Sequence, residues 1–109
     1  MWFMAKTYDL ECPIARTLDI VGERWTLLIL LDLLRLGARK FSYFQQALPG
    51  LAPNTLSDRL KTLEEHGIVE SRLYERHPPR VEYLLTAKGS ALGPVMRALH
   101  GWGERFGEQ

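Results

Sequence analysis

Ser42-Tyr43-Phe44-Gln45-Gln46-Ala47-Leu48-Pro49-Gly50-Leu51-Ala52-Pro53-Asn54-Thr55-Leu56-Ser57-Asp58-Arg59-Leu60-Lys61-Thr62-Leu63-Glu64-Glu65-His66-Gly67 decides the fold of this 109-residue chain. Ser42 followed three residues later by Gln45 has the form of a capping box, which opens a short helix from Tyr43 to about Leu48. Pro49-Gly50 then forces a turn. Pro53 suits a first helical position, and Leu56, Leu60 and Leu63 form an apolar stripe that stops at Gly67. A short helix, a tight turn containing glycine and a longer helix make a helix-turn-helix.

The residues downstream extend that motif. Ile68 to Glu75 alternates, with Val69 and Leu73 on one face and Glu70 and Arg72 on the other. Val81, Tyr83 and Leu85 share a side of a second alternating run from Arg80. Pro78-Pro79 lies between the runs; lacking N–H donors, it fits a hairpin tip rather than a ladder. A β-hairpin directly after the second helix of the motif makes a winged helix-turn-helix.

Upstream, Pro13 opens a helix with Ile14, Leu18 and Val21 on one face, and Gly22 breaks it. A second helix from about Arg24 to Leu36 is apolar on nearly all sides, which predicts a central place in the core. At the other end Thr86 is an N-cap for a last helix running to about Phe106. Leu92, Val95, Met96, Leu99, Trp102 and Phe106 form one apolar stripe on it, and Gly93-Pro94 should kink it. That stripe either packs into the core or forms a dimer interface, with Trp2, Phe3 and the first helix contributing. The expected fold class is mainly α with a small β-hairpin (α+β). It is a single winged helix-turn-helix domain over 1–109, with the turn motif at about 42–66 and the wing at about 68–85. N- and C-terminal dimerisation segments are expected at about 1–21 and 87–106.

Composition narrows the function. With 46% hydrophobic and 25% charged residues the chain is globular, and its net charge of +1 argues against coating nucleic acid by bulk charge. Its distribution is uneven. Arg35, Arg39, Lys40, Arg59 and Lys61 face only Asp58 over residues 35–61, and Arg72, Arg76, His77 and Arg80 face only Glu75 over 72–80. These clusters are either one electrostatic footprint, if the fold unites them, or solvated surface. No run approaches the roughly 18–20 uninterrupted apolar residues of a membrane helix. The start lacks the features of a secretory signal, so no membrane association and a cytoplasmic location are expected. One cysteine, Cys12, excludes an internal disulfide and a cysteine-rich zinc site.

The helical wheel proposes how DNA would be read. With the leucine stripe inward, Asn54, Thr55, Asp58, Lys61 and Thr62 point outward, flanked by Ser57 and Arg59. Asn, Asp, Ser and Thr are suited to base edges, and Arg and Lys to guanine or phosphate. Asp58 repels phosphate, so it either selects a cytosine or anchors Arg59 or Lys61. Arg39, Lys40 and Ser42 at the start of the short helix are phosphate contacts, as are Arg76, His77 and Arg80 at the wing; such contacts position without specifying sequence. Of the histidines, His66, His77 and His100, none has a catalytic spacing. No phosphate loop or metal-ligand cluster is present, so an enzyme, a cofactor and a metal are not expected.

Assembled, the chain resembles the HxlR family of bacterial winged-helix regulators. The likeness is carried by Cys12-Pro13-Ile14-Ala15-Arg16, by 22–30 (GERWTLLIL), by 39–44 (RKFSYF), by 48–53 (LPGLAP) with 56–60 (LSDRL), and by 78–83 (PPRVEY) with Leu85-Thr86. The resemblance implies a homodimeric transcriptional regulator on near-palindromic operator DNA, with the first and last helices forming much of the interface. Its two recognition helices would sit about one DNA turn, roughly 34 Å, apart. One departure is Ala52, where the family often has Ser before the proline of the recognition helix. Some family members sense oxidants or electrophiles through a cysteine at the position of Cys12, which marks it as a candidate redox sensor. Cys12 adjoins the N-cap of the first helix, with Arg16 one turn along and Asp9 and Glu11 opposing. A small-molecule or oxidant effector is therefore a further expected partner, its identity open. The alternative function is a winged-helix module for protein–protein contact without specific DNA binding.

Overall fold

The structure is a computed structural model and describes residues 11–107. Trp2 and Phe3, expected at the dimer interface, lie outside the described residues.

The helices follow the apolar spacing. α1 (Pro13–Val21) begins on its proline, and α2 (Thr26–Leu36) follows. α2 starts two residues later than the apolar run suggested. The Glu23 carboxylate accepts hydrogen bonds from the Trp25 backbone N–H at 2.8 Å and from the Thr26 hydroxyl at 3.2 Å, which holds the preceding turn non-helical. Ile29, Leu30 and Leu33 of α2 are buried, yet Leu28 and Leu36 are exposed, so the helix is not enclosed on all sides.

β1 (Arg39–Lys40) comes next and was not anticipated. Its two residues pair antiparallel with the strand that returns from the wing tip, Arg39 opposite Tyr83 and Lys40 opposite Glu82. Their extended backbone runs straight into α3 (Phe41–Ala47), whose N-cap is Lys40. The capping box expected at Ser42 and Gln45 is therefore absent. Ser42 lies inside the first turn, and no side chain caps the helix.

Residues 48–52 form the turn of the motif, with Gly50 at φ +92°, a conformation that other L-residues rarely adopt. α4 (Pro53–Glu65) starts on Pro53 with Ala52 as an N-cap that makes no side-chain hydrogen bond. It ends in a Schellman motif: Ile68 N–H donates to the Leu63 carbonyl at 2.9 Å and Gly67 N–H to that of Glu64 at 3.0 Å, with Gly67 at φ +71°. The wing follows as β2 (Val69–Arg76) and β3 (Pro79–Leu85), turning at His77-Pro78, and the sheet order is β1-β3-β2. A register irregularity between Leu73 and Glu75 separates the base of the hairpin from its tip.

Thr86 does cap a helix, its hydroxyl accepting from Gly89 N–H at 3.1 Å. That helix is only α5 (Ala87–Ser90), and α6 (Gly93–Phe106) starts afresh with its proline in the first turn. The single kinked helix expected from Thr86 to Phe106 is thus two helices. Pro94 has no N–H for the Ser90 carbonyl, and the ring displaces the chain from that turn.

The core joins these elements. Ile29, Leu30, Phe44, Leu56, Leu60, Leu63 and Val69 are all essentially inaccessible to solvent. Each such side chain contributes about 1.5–3 kcal/mol by leaving water. The leucine stripe of α4 spends its whole apolar face on this core, which fixes the rotation of the helix and turns its polar face outward.

Candidate nucleic-acid interface

α4 is the second helix of the turn motif. Asn54, Ser57, Asp58 and Lys61 are exposed on it; Thr55, Thr62 and Arg59 are half-buried on one flank. Asp58 makes no ion pair with Arg59 or Lys61 among the described residues. Among the described residues its carboxylate and the Lys61 ammonium are both unengaged. Arg59 sits deeper than the wheel suggested. Its Nε is enclosed without a hydrogen-bond partner, so its stem is held against the protein.

The wing is braced on α4 and on β1. Ser71 donates to Glu64 Oε2 at 3.1 Å, which ties β2 to the last turn of α4. Arg72 Nε donates to Glu82 Oε2 at 2.8 Å across the hairpin, so this arginine is occupied within the sheet. At the tip Arg76, His77 and Arg80 are exposed, and among the described residues only Arg80 of the three makes an ion pair, with Glu75 at 4.0 Å.

Pairing of β1 with β3 places Arg39 and Lys40 at the root of the wing. The Lys40 ammonium lies 4.5 Å from the Tyr74 ring centroid. Arg39 stacks over Tyr43 at 5.5 Å and donates to the Ala38 carbonyl at 2.7 Å. Together with the exposed Ser42 they border a concavity of about 430 Å³ that also touches Gln46 and Glu82. Tyr74 and Tyr43, which aim these two cations, were missed by sequence reasoning. The Lys40–Tyr74 contact exists only because β1 joins the sheet, and no local pattern announces a two-residue strand.

The terminal stripe divides. Met96 is 5% exposed and belongs to the core, and Leu92 is half-buried against it. Val95, Leu99, Trp102 and Phe106 are 45%, 53%, 64% and 56% exposed, with Trp102 and Phe106 in ring contact at 5.5 Å. On α1, Ile14 and Leu18 are 70% and 40% exposed. These exposed apolar side chains lie on α1 and α6, the helices expected from sequence to carry the dimerisation segments. Cys12 is a free, exposed thiol at the N-cap of α1. Among the described residues no cluster of His, Cys, Asp and Glu has the makings of a metal site, and no helix is long and apolar enough to cross a membrane.

Comparison with known proteins agrees with this geometry. The family model described as HxlR-like helix-turn-helix matches residues 20–109. An uncharacterized HTH-type transcriptional regulator of Synechocystis sp. is 42% identical over 98 residues, spanning 90% of this chain and 72% of that protein. The HTH-type transcriptional regulator YodB of Bacillus subtilis is 34% identical over 98 residues, covering 89% of this chain and 87% of its own. The solved structure of YodB in its reduced form covers 91% of this chain and 97% of its own at a TM-score of 0.74. The redox regulator HypR in its oxidized form is 33% identical, covers 90% of this chain and all of its own, and superposes with a TM-score of 0.83. With a winged helix whose second motif helix presents a polar face, and with a family model matching most of its length, this chain belongs to the HxlR-like helix-turn-helix family of transcriptional regulators.

Proposed function

We propose that this chain acts as a homodimer that binds near-palindromic operator DNA sequence-specifically, with α4 in the major groove. The observation that carries this reading is the face of α4. Asn54, Ser57, Asp58 and Lys61 stand exposed and unengaged on a helix whose rotation the core fixes. Asn54 suits adenine and Asp58 suits the amino group of cytosine. Thr55 lies beside them, and Arg59 and Lys61 meet guanine or phosphate. Lys40 and Ser42 at the root of the wing, with Arg76, His77 and Arg80 at its tip, contact the backbone. Arg39, turned onto Tyr43, supports that surface. The second copy docks on Val95, Leu99, Trp102 and Phe106. DNA binding places the protein in the cytoplasm.

Fluorescence anisotropy with DNA flanking the protein's own gene tests this reading. Binding should resist unrelated competitor DNA, and its log–log salt slope should reflect several phosphates. Lys61→Glu should abolish binding and leave dimerisation intact. A Lys61→Glu protein that binds as before means the reading face is misassigned. A folded dimer that binds no DNA at low salt would favour the protein-interaction module.

The same reading includes oxidant sensing at Cys12. The thiol is exposed, and two of the similar structures are HypR, named a redox regulator, and a diamide-treated YodB.

A further inference from the structure

Between α2 and α6 lies an open cleft of about 610 Å³, a size typical of small-molecule sites. Leu31, Leu34 and Met96 give it an apolar floor, and Arg35 and Arg97 line it from the two helices. Neither guanidinium has an ion pair among the described residues. His100 and Glu104 also line the cleft, but they engage each other, His100 Nδ1 lying 3.5 Å from Glu104 Oε1. Two arginines against one carboxylate leave the cleft an excess of positive charge.

That combination has a chemical complement. The floor favours a hydrophobic body, which gains by leaving water. A guanidinium in partly apolar surroundings binds a carboxylate through paired, charge-assisted hydrogen bonds. An excess of positive charge calls for an anion.

The cleft opens mainly on a different side of α6 from the stripe left for a second copy. At about 100° per residue, Val95, Leu99, Trp102 and Phe106 fall within an arc of about 60° on α6. Arg97, Gly101 and Glu104 centre on the opposite side of the helix. On α6 the stripe and the Arg97 side of the cleft therefore face different ways, although Leu99 borders an adjoining groove with Leu31, Met96 and His100.

We propose that the α2–α6 cleft is a binding site for a small aromatic carboxylate, its ring on Leu31, Leu34 and Met96 and its carboxylate on Arg35 and Arg97.

Calorimetric titration of the intact protein with 1-naphthoate, beside the neutral isostere 1-naphthamide, tests it. The acid should bind once per chain, at least about tenfold more tightly than the amide. Arg35→Gln and Arg97→Gln should each weaken the acid about fivefold or more and leave the amide unaffected. A Cβ at Gly101 meets open space, so Gly101→Leu fills the cleft without a clash and should abolish binding while thermal unfolding holds. Absence of binding at millimolar naphthoate overturns the proposal. So does equal affinity for acid and amide, or binding that survives both the arginine variants and Gly101→Leu.

Discussion

The Tyr43 hydroxyl donates a hydrogen bond to Asp32 Oδ2 at 3.1 Å, joining the first helix of the turn motif to the central helix α2. The contact is half-buried, and the Arg39 guanidinium stacks on the far side of the same ring. Desolvation, followed by the hydrogen bond and the charge of Asp32, raises the Tyr43 phenol above its ordinary value of 10.0. Tyr43→Phe should lower unfolding stability near neutral pH by removing this hydrogen bond. A raised folded-state value means the native state keeps its proton where the unfolded chain loses it. The stabilisation is thus complete below pH 10 and lost as pH rises beyond it. Urea unfolding across pH 8 to 11 should show the wild type losing its advantage over Tyr43→Phe at the alkaline end. A constant difference across that range would mean the hydroxyl contributes nothing through ionisation.

Gly89 lies buried where α5 crosses the end of α4 and the start of β2. A Cβ there would meet the Ile68 carbonyl oxygen, and it would press on Leu85 Cδ2 at 3.1 Å. That carbonyl also accepts from Thr86 N–H and from the Thr86 hydroxyl, both at 3.1 Å, so it is not free to move. Gly89→Ala should therefore destabilise by about 1–3 kcal/mol, despite the better helix propensity of alanine. The check is the urea midpoint, which should fall at an unchanged slope. An unchanged midpoint would show that the α5 turn yields more readily than its hydrogen bonds suggest.

Much of this molecule was legible because its signals are local. The Leu56-Leu60-Leu63 spacing, Pro53 and Gly67 fix α4 within a single segment, and the proline pair marks the hairpin tip to within a residue: the turn is His77-Pro78, while Pro79, expected outside the ladder, opens β3 opposite Arg76. The misreadings share a different origin. Arg39-Lys40 becomes a strand only because β3, some forty residues later, offers it a free edge, and that pairing cancels the Ser42 capping box. The stripe of the last helix was read as one surface, but Met96 turns inward because α2 lies beneath it. Arg59 looked like a flank residue on the wheel, whereas its Nε is enclosed by tertiary packing. Periodicity gives the rotation of a helix, and only the neighbours decide how much of each face they cover.

The exposed part of that stripe makes a direct prediction about assembly. Leu99 is 53% exposed and central between Val95 and Trp102, so Leu99→Glu should put a charge into the contact with little effect on the fold. Sedimentation velocity should show a monomer for the variant and a dimer for the wild type, with an unchanged circular dichroism spectrum. Operator affinity should drop about a hundredfold or more, because the two half-sites are no longer engaged together. A Leu99→Glu protein that stays dimeric would move the interface off α6.

Cys12 offers the last test. It is the only cysteine in the chain, exposed and free at the N-cap of α1. Diamide takes two electrons and two protons from a pair of thiols and leaves a disulfide, so oxidation of Cys12 needs a second thiol. Either Cys12 of a second copy or a low-molecular-weight thiol supplies it. The first product is a chain twice the mass on a non-reducing gel, and the second is a mixed disulfide resolved by intact mass. Cys12→Ser should bind operator with unchanged affinity, since the residue is the N-cap of α1 and lies off the proposed reading face of α4. Wild-type binding should respond to diamide and recover with dithiothreitol, and the variant should not respond. A diamide response that persists in Cys12→Ser would end the sensing role, because no other thiol exists in the chain to carry it.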